Sequence, residues 1–332
     1  MSSNNVLEIN RLNISFMTDK KKVNAIKDVS FKIKKGEILG LVGESGSGKS
    51  ITSLSILGLL PTPPAVIEDS EILFHGINLI QASEKEMQKI RGNKISMIFQ
   101  EPMTSLNPLY TIGNQLIESV QNHQSISKKD AKEICIHTLE TVGLARADAM
   151  MNEYPHQLSG GMRQRVMIAM AMICQPEILI ADEPTTALDV TIQSQILKLM
   201  KELNDKTETS ILFITHDLGV VAEICDRVIV MYGGRIVEEG SVSDIFKNPQ
   251  HPYTKGLLRS VPDIRSKQEK LYAIPGSVPK PGSIQKGCYF APRCEISDMN
   301  CHENEPEFLP IHEEGHFSRC FKNGNSEGVE NV

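Results

Sequence analysis

The segment that most constrains the fold of this 332-residue chain is glycine-rich, with the sequence GESGSGKS over Gly43–Ser50. It follows an apolar run, Glu37–Val42, that is typical of a buried strand, and it precedes a segment with helical spacing of apolar residues. Glycines here allow successive backbone N–H groups to turn inward around phosphates, and a helix N-terminus adds positive charge. The pattern G-x-x-x-x-G-K-[ST] in this strand–loop–helix context therefore predicts an α/β fold that binds a nucleoside phosphate.

Individual residues of this loop have expected roles. We expect Lys49 to reach the β- and γ-phosphates and the Ser50 hydroxyl to bind Mg²⁺. A glycine turn with an incidental lysine is the alternative, which the strand and helix on either side disfavour. The expected ATP-binding residues of the segment are Gly43, Glu44, Ser45, Gly46, Ser47, Gly48, Lys49, Ser50 and Ile51.

Two adjacent carboxylates follow a second apolar run, Ile178–Ala181. A phosphate loop needs a carboxylate that holds the metal through water, and Asp182 is placed for that role. Glu183, one residue later, is a candidate to polarise the attacking water. An acidic turn at a strand end is the alternative interpretation.

Apolar periodicity predicts the remaining elements. Alternation around Leu12–Phe16 and Val29–Ile33 predicts half-buried strands, and unbroken apolar runs predict buried parallel strands at Ile178–Ala181 and Ser210–Thr215. The helices are predicted at Thr111–His123, Ser127–Val142, Ser159–Ile173 and Val190–Asp205, the last completing a βαβ unit. Val228–Tyr232 and Arg235–Glu239 flank Gly233-Gly234 and predict a hairpin.

Charge and apolar run length exclude several classes of protein. Lys+Arg 35 against Asp+Glu 41 gives a net charge of −6, which argues against a protein that coats nucleic acid. The longest apolar run, Val166–Cys174, is far shorter than the ~20 residues that span a bilayer. The N-terminal residues contain no basic and apolar regions of a secretory signal, so the seven cysteines do not predict a disulfide framework.

A further glycine motif identifies a family. Leu158–Met162 has the sequence LSGGM, is followed by Arg163-Gln164, and lies about 20 residues before the Asp182-Glu183 pair. It resembles the signature sequence of ATP-binding cassette (ABC) ATPases, and the resemblance covers roughly residues 6 to 325. Ser159 is expected to cap a helix, with bare backbone N–H groups at Gly160 and Gly161 for an anion.

This resemblance implies a P-loop ABC-type nucleotide-binding domain with a mainly parallel core sheet, an antiparallel β-subdomain and a helical insert. It implies that Gln100 senses Mg²⁺ and the membrane partner, that His216 contacts the γ-phosphate, and that Phe16 stacks on adenine. The implied catalytic residues are Lys49, Gln100, Glu183 and His216, and the implied Mg²⁺ ligands are Ser50, Gln100 and Asp182.

In this family two domains bind head to tail around ATP. The resemblance therefore implies that the signature residues Ser159, Gly160 and Gly161, together with Asp189 of the Ala187–Asp189 D-loop, act on the site of a partner ATPase. Hydrolysis then reopens the pair.

Several phrases indicate one branch of the family. The segments that together resemble ATPases of dipeptide and oligopeptide importers are Glu44–Ser50, Glu101–Pro108, Tyr154–Gln157 and His251–Thr254. Within that group, Ser50–Leu60 and the Pro-Met-Thr phrase at Pro102–Thr104 resemble the D-type subunit. That subunit pairs with an F-type ATPase under two membrane permease subunits at the cytoplasmic face of a bacterial or archaeal membrane, and an external solute-binding protein delivers the solute. An importer of nickel or another small solute, and a soluble ABC ATPase acting on ribosomes or DNA, remain alternatives. The presence of both Glu183 and His216 disfavours a pure binding or regulatory module.

Four cysteines lie close together near the C-terminus: Cys288, Cys294, Cys301 and Cys320. Their gaps are wider than the C-x-x-C pairs of structural zinc sites. They resemble the C-terminal module of peptide-importer ATPases, which implies a [4Fe–4S] cluster. Zinc and unligated thiols are the alternatives, and His302, His312 and His316 would be ligands only if one cysteine is not.

The expected domains are an ABC ATPase domain over residues 1–260, with a helical subdomain at about 83–175, and a C-terminal extension over 261–332 that forms a small Cys-rich module. The remaining cysteines, Cys135, Cys174 and Cys225, are expected to be ordinary thiols.

Overall fold

A computed structural model describes residues 4–18, 21–100, 105–186, 188–261, 272–312 and 315–323. Residues 101–104 of the importer phrase and Ala187 of the predicted D-loop lie outside the described residues, as do residues 262–271, 313–314 and 324–332 beyond the boundary expected near residue 260. The chain divides into two compact units. The first comprises Met1–Leu7, Lys32–Ile38 and Leu73–Ile214, and the second Glu8–Phe31, Leu39–Ile72 and Thr215–Val332.

The elements are numbered in chain order. The strands β1 to β13 are Asn5–Met17, Lys22–Lys34, Ile38–Val42, Ala65–Glu68, Glu71–Phe74, Ile77–Asn78, Ile95–Ile98, Ile178–Asp182, Ser210–Thr215, Arg227–Tyr232, Arg235–Ser241, Leu309–His312 and His316–Ser318. The helices α1 to α11 are Lys49–Ile56, Glu84–Ile90, Ile112–Gln121, Lys128–Thr141, Ala147–Met150, Gly160–Met172, Val190–Thr207, Leu218–Ile224, Val242–Lys247, Pro252–Arg259 and Met299–Glu303.

The first unit is organised around parallel strands. Strand β8 pairs in parallel with β7 on one side and with β9 on the other, so that Ile178 lies opposite Ile95 and Ser210. Both β8 and β9 are buried along their whole length, which explains why their sequences lack alternation. Helix α7 connects them, and the predicted βαβ unit is confirmed.

Helices α3, α4 and α6 of the first unit each follow a residue that caps them. The Thr111, Ser127 and Ser159 hydroxyls accept hydrogen bonds from backbone N–H groups in the first turns of α3, α4 and α6. Such caps satisfy N–H groups that have no partner within a helix. These three helices, which apolar periodicity predicted, are confirmed within a few residues at each end.

The second unit combines parallel and antiparallel strands. Strand β10 pairs in parallel with β3 and antiparallel with β11. Gly233 and Gly234, with φ of 56° and 82°, form the turn between β10 and β11, which confirms the predicted hairpin. Strand β4 pairs antiparallel with β1.

The small Cys-rich C-terminal module expected from the sequence is not supported by the strand pairing of the described C-terminal residues. Strand β13 pairs with β11, placing Phe317 opposite Glu239, and β12 pairs with β13. The buried His316 Nε2 lies 2.8 Å from Oε1 of the buried Glu238. A small self-contained core is therefore not supported, because the tail adds strands to an existing sheet and shares its interior. Within the described ranges, no helix combines the length and apolar composition needed to cross a bilayer.

Candidate functional site

The glycine-rich loop follows β3 and leads into α1, as the sequence predicts. Gly43 and Gly48 have φ of 153° and 106°, a region that favours glycine. A Cβ atom at Gly43 would lie 2.2 Å from the Met231 carbonyl oxygen, and one at Gly48 would lie 2.5 Å from Ile26 Cδ1. The loop therefore favours glycine at both positions for its backbone conformation, and at Gly43 also because a Cβ would clash with the backbone of Met231.

Lys49 is buried inside this loop. Its Nζ donates hydrogen bonds to the carbonyl oxygens of Gly43 at 2.6 Å and Glu44 at 3.2 Å. Ser45 and Gly46 are exposed at the tip of the loop, whereas Ser50 is half-buried in the first turn of α1. The ammonium group and the backbone N–H groups at the start of α1 thus supply the positive charge that a phosphate requires.

Glu44 in the same loop is held by residues far along the chain. Its carboxylate accepts two hydrogen bonds from Arg293, at 2.7 and 3.0 Å. Its backbone N–H donates to the Tyr253 hydroxyl at 2.8 Å. Sequence reasoning missed both contacts. Two features of the sequence could have pointed to these residues. Tyr253 lies in the importer phrase His251–Thr254, and Arg293 directly precedes Cys294.

Glu183 and Gln100 are neighbours in the first unit. Gln100 Nε2 donates to Glu183 Oε2 at 3.0 Å, and the Thr186 hydroxyl donates to the same oxygen at 3.0 Å. Glu183 has a φ of 49°, which is rare for a residue with a side chain and is concentrated at functional sites. Asp182 is buried at the end of β8 directly before it. Carboxylate and amide oxygens at this strand end have the chemistry that Mg²⁺ requires.

His216 and Phe16 lie in the second unit. His216 follows β9 with an exposed side chain, and Asp217 after it caps α8 by accepting from the N–H groups of Gly219 and Val220. Phe16 is half-buried near the end of β1, opposite Ala65 of β4. An aromatic ring that is only half-buried keeps surface available for stacking.

The signature motif forms the N-terminus of α6. Ser159 Oγ accepts from the Met162 N–H at 3.3 Å, and Ser159 and Gly160 are exposed. A Cβ at Gly160 would meet no atom within 4 Å. Asp189 is exposed at the start of α7, and the neighbouring Val190 is 83% exposed. These groups are accessible, as a role at a partner's site requires.

Each unit therefore carries part of the predicted set. The first contains Gln100, Ser159, Gly160, Gly161, Asp182, Glu183 and Asp189. The second contains Phe16, His216 and the loop residues Gly43, Glu44, Ser45, Gly46, Ser47, Gly48, Lys49, Ser50 and Ile51.

The four clustered cysteines line one small cavity in the second unit, together with His251 and Phe290. Burial raises the pKa of the Cys288 thiol to about 11 and also raises the pKa values of Cys294 and Cys320. The donor set matches the chemistry of an iron–sulfur cluster. However, in the part of the chain that the structure describes, no group of three or more His, Cys, Asp or Glu side chains is arranged to hold a metal ion. The expected [4Fe–4S] site is therefore not supported by this side-chain arrangement.

Two of the alternative histidine ligands can also be placed. His316 is engaged with Glu238, and His302 is exposed on α11. The side chain of His312 lies outside the described residues. Cys135 is a buried thiol in α4 whose pKa burial raises to about 12, as expected of an inert interior cysteine.

Comparison with known proteins agrees with these motifs. Residues 26–186 match the family model described as "ABC transporter", and residues 237–301 match "Oligopeptide/dipeptide transporter, C-terminal region". The oligopeptide transport ATP-binding protein AppD of Bacillus subtilis is 54% identical over 316 residues, which cover 95% of this chain and 96% of that protein. The chain belongs to the ABC transporter ATP-binding protein family. It is an ATPase of the ATP-binding cassette type.

Further relatives of this ABC ATPase carry similar names. The oligopeptide transport ATP-binding protein OppD of Bacillus subtilis is 53% identical, over 92% of this chain and 86% of that protein. The dipeptide transport ATP-binding protein DppD of the same organism is 51% identical, over 95% of this chain and 94% of that protein.

Solved structures give the same fold. The ATP-binding cassette MJ0796, in a dimeric post-hydrolysis state bound to ADP and Pi, matches with 30% identity and a TM-score of 0.63, over 71% of this chain and 98% of that chain. CbiO1 of Clostridium perfringens, part of the ABC transporter complex cbiONQ, matches with 27% identity and a TM-score of 0.64, over 74% of this chain and 92% of that chain. The fold is thus a P-loop ABC ATPase with mixed sheets and helices.

Proposed function

We propose that this ABC ATPase hydrolyses ATP to power the import of peptides through a membrane transporter. The observation that carries this proposal is identity above 50% to proteins named for oligopeptide and dipeptide transport, over nearly the whole of this chain. The match of residues 237–301 to the peptide-transporter C-terminal model supports peptides over nickel or another small solute. It also weighs against an ATPase that is not coupled to transport.

In this proposal the loop Gly43–Ile51 binds the phosphates, and Phe16 stacks on the adenine. Mg²⁺ is held by Ser50, Gln100 and Asp182, whose oxygen donors suit that ion. Bound Mg²⁺ would neutralise phosphate charge, as in other P-loop ATPases.

Glu183 is proposed to polarise the attacking water, and His216 to contact the γ-phosphate. The hydrogen bond from Gln100 to Glu183 supports this assignment. If the Gln100 amide binds both the proposed base and Mg²⁺, hydrolysis depends on the position of Gln100.

We propose a head-to-tail arrangement in which Ser159, Gly160, Gly161 and Asp189 close the site of a second, F-type ATPase. The exposure of Ser159, Gly160 and Asp189 supports this arrangement, since a capped helix N-terminus open to solvent can receive a partner's phosphate. MJ0796, a structural neighbour, is described as a dimer.

The pair is proposed to dock under two permease subunits at the cytoplasmic face of the membrane, with an external solute-binding protein acting indirectly. Large apolar side chains that are exposed near Gln100 in the sequence, among them Phe99, Leu109 and Tyr110, support docking of a protein partner there. Residues 1–260 then carry the ATPase domain, with the helical subdomain at about 83–175, and residues 261–332 form the peptide-transporter extension.

The finer proposal of a [4Fe–4S] cluster on Cys288, Cys294, Cys301 and Cys320 has one support, namely that all four line the same cavity. Ligation would require their thiols to ionise and turn toward a common centre. Anaerobic purification should give brown protein with iron and acid-labile sulfide in equal amounts, and Cys294→Ser should abolish the colour while Cys135→Ser should not. Zinc without sulfide, or metal-free thiols in anaerobically purified protein, would contradict it.

Peptide uptake in a strain that carries Lys49→Ala tests the proposed function. We expect loss of uptake of di- or oligopeptides, because the variant lacks the ammonium group that the phosphates require. Lys198→Ala, at an exposed position of α7, should leave uptake normal. Unchanged uptake of every tested peptide would contradict peptide import, and loss of nickel uptake alone would establish the nickel alternative.

A further inference from the structure

Arg293 approaches the phosphate loop from the C-terminal part of the second unit. It lies at the end of a short 3₁₀ helix, Ala291–Arg293, and its side chain is only 5% exposed. Both terminal nitrogens bind the Glu44 carboxylate, with Nη1 2.7 Å from Oε2 and Nη2 3.0 Å from Oε1. A two-pronged contact of this kind fixes orientation as well as charge, which a lysine at the same place could not do.

The guanidinium group is itself held in place by several acceptors. Its Nε donates to the Pro275 carbonyl oxygen at 2.7 Å, and Nη2 donates to the Ile274 carbonyl oxygen at 3.3 Å. Nη1 also donates to the Tyr232 hydroxyl at 3.3 Å. Arg293 therefore presents a preorganised site to Glu44 rather than a mobile surface charge.

Tyr253 holds the other end of Glu44. Its hydroxyl accepts the Glu44 backbone N–H, and its ring is fully buried against Tyr232 and Phe290, with ring centroids 4.7 and 5.4 Å away. The Glu44 carbonyl oxygen in turn accepts from Lys49. Glu44 therefore makes hydrogen bonds through its backbone N–H, its carbonyl oxygen and its carboxylate.

We propose that Arg293 is a positioning residue for nucleotide binding, which acts by fixing Glu44 and cancelling its charge. The inference rests on the proposed binding of phosphates by Gly43–Ser50. A carboxylate in a loop that surrounds a polyanion repels it, and in a partly buried site such repulsion is weakly screened. The guanidinium of Arg293 removes that repulsion and fixes the position of the carboxylate.

A purely structural role for Arg293, as a link between the tail and the loop, makes a different prediction. In that case the loss of Arg293 would lower stability, and further removal of the Glu44 charge would not restore nucleotide binding. In our proposal the loss of nucleotide affinity comes from the uncompensated carboxylate of Glu44. Neutralising Glu44 should therefore restore the affinity.

The test is a double-mutant cycle on the full-length chain, with ADP affinity measured by calorimetry and folding monitored by thermal melting. We expect Arg293→Met to raise the Kd for ADP about tenfold, and Arg293→Met/Glu44→Gln to return it to within about threefold of Glu44→Gln alone. The increase for Arg293→Met should change little with salt, because partly buried charges are weakly screened. Arg259→Met is the matched control, because this exposed arginine lies 3.8 Å from Glu295 and should leave the Kd unchanged.

Two outcomes would overturn the inference: a Kd within about twofold of the wild-type value in Arg293→Met, or no recovery in the double variant. If Arg293→Met does not fold, Arg293→Lys takes its place, because it keeps the charge without the two-pronged contact. It should give a smaller rise in Kd, and a wild-type Kd there would contradict the positioning role. Lys49→Ala measured alongside separates the two proposals. Retained ADP binding in Lys49→Ala would refute the phosphate-loop assignment itself.

Discussion

At the scale of single residues, ATP turnover is expected to depend most on Glu183. Its Oε2 accepts hydrogen bonds from Gln100 and Thr186. It directly follows β8 and has a left-handed backbone conformation. We predict that Glu183→Gln lowers kcat of the assembled transporter by ~10²–10⁴-fold while ADP still binds, because the variant lacks the proposed general base but keeps the phosphate loop. Glu177→Gln, at a surface ion pair with Lys94, is the control and should retain turnover. Normal ATPase activity in Glu183→Gln would show that another group activates water.

The sequence identifies the loop residues because their roles depend on local spacing. The glycines that adopt a positive φ and the lysine of this loop lie within a few residues of one another. The strand before the loop and the helix after it determine where the loop lies. The partner of Glu44 could not be found in this way. Arg293 lies 249 residues further along the chain, and nothing in the local pattern specifies which arginine folds back onto the loop.

At the scale of elements, the buried Glu238 joins the last strand to the rest of the second unit. Its Oε1 accepts from the Gln250 N–H at 2.7 Å and from His316 Nε2 at 2.8 Å, and its Oε2 accepts from the His251 N–H at 2.9 Å. We predict that Glu238→Gln lowers the free energy of unfolding by about 2–4 kcal/mol, because an amide NH₂ would face a donor in a fully buried site.

Urea denaturation measures this cost, and protease cleavage after β11 provides a second readout of strand detachment. Glu202→Gln, at an exposed position of α7, should change stability by no more than about 0.5 kcal/mol. An equal and small effect of both substitutions would mean that Glu238 does not hold β13 in place.

Elements with strong local signals were predictable, and elements defined by distant pairing were not. Helices α3, α4 and α6 have both periodic apolar residues and capping hydroxyls, so their existence and starts follow from the sequence. Strands β12 and β13 have only four and three residues. Strand β13 pairs with β11, a partner far away in the chain, and β12 pairs with β13. The composition of both strands alone resembles that of a loop.

At the scale of the whole molecule, the proposed assembly makes Gly160 a residue whose effect should appear only between chains. The space around it is open, so Gly160→Arg should leave the Tm and the ADP affinity of the isolated chain unchanged. In the assembled transporter we expect at least about a tenfold loss of ATP turnover, since the added side chain would obstruct closure on the partner. Wild-type turnover in that assembly would argue against the head-to-tail arrangement.

The contact between Arg293 and Glu44 has a consequence for how proteins of this kind can be divided or recombined. A chain shortened to residue 260 would keep every nucleotide-binding motif, yet it would lack the guanidinium that faces Glu44 and the strand that covers the edge of β11. Hybrid transporters made by exchanging tails should therefore work only when positions 44 and 293 come from the same parent.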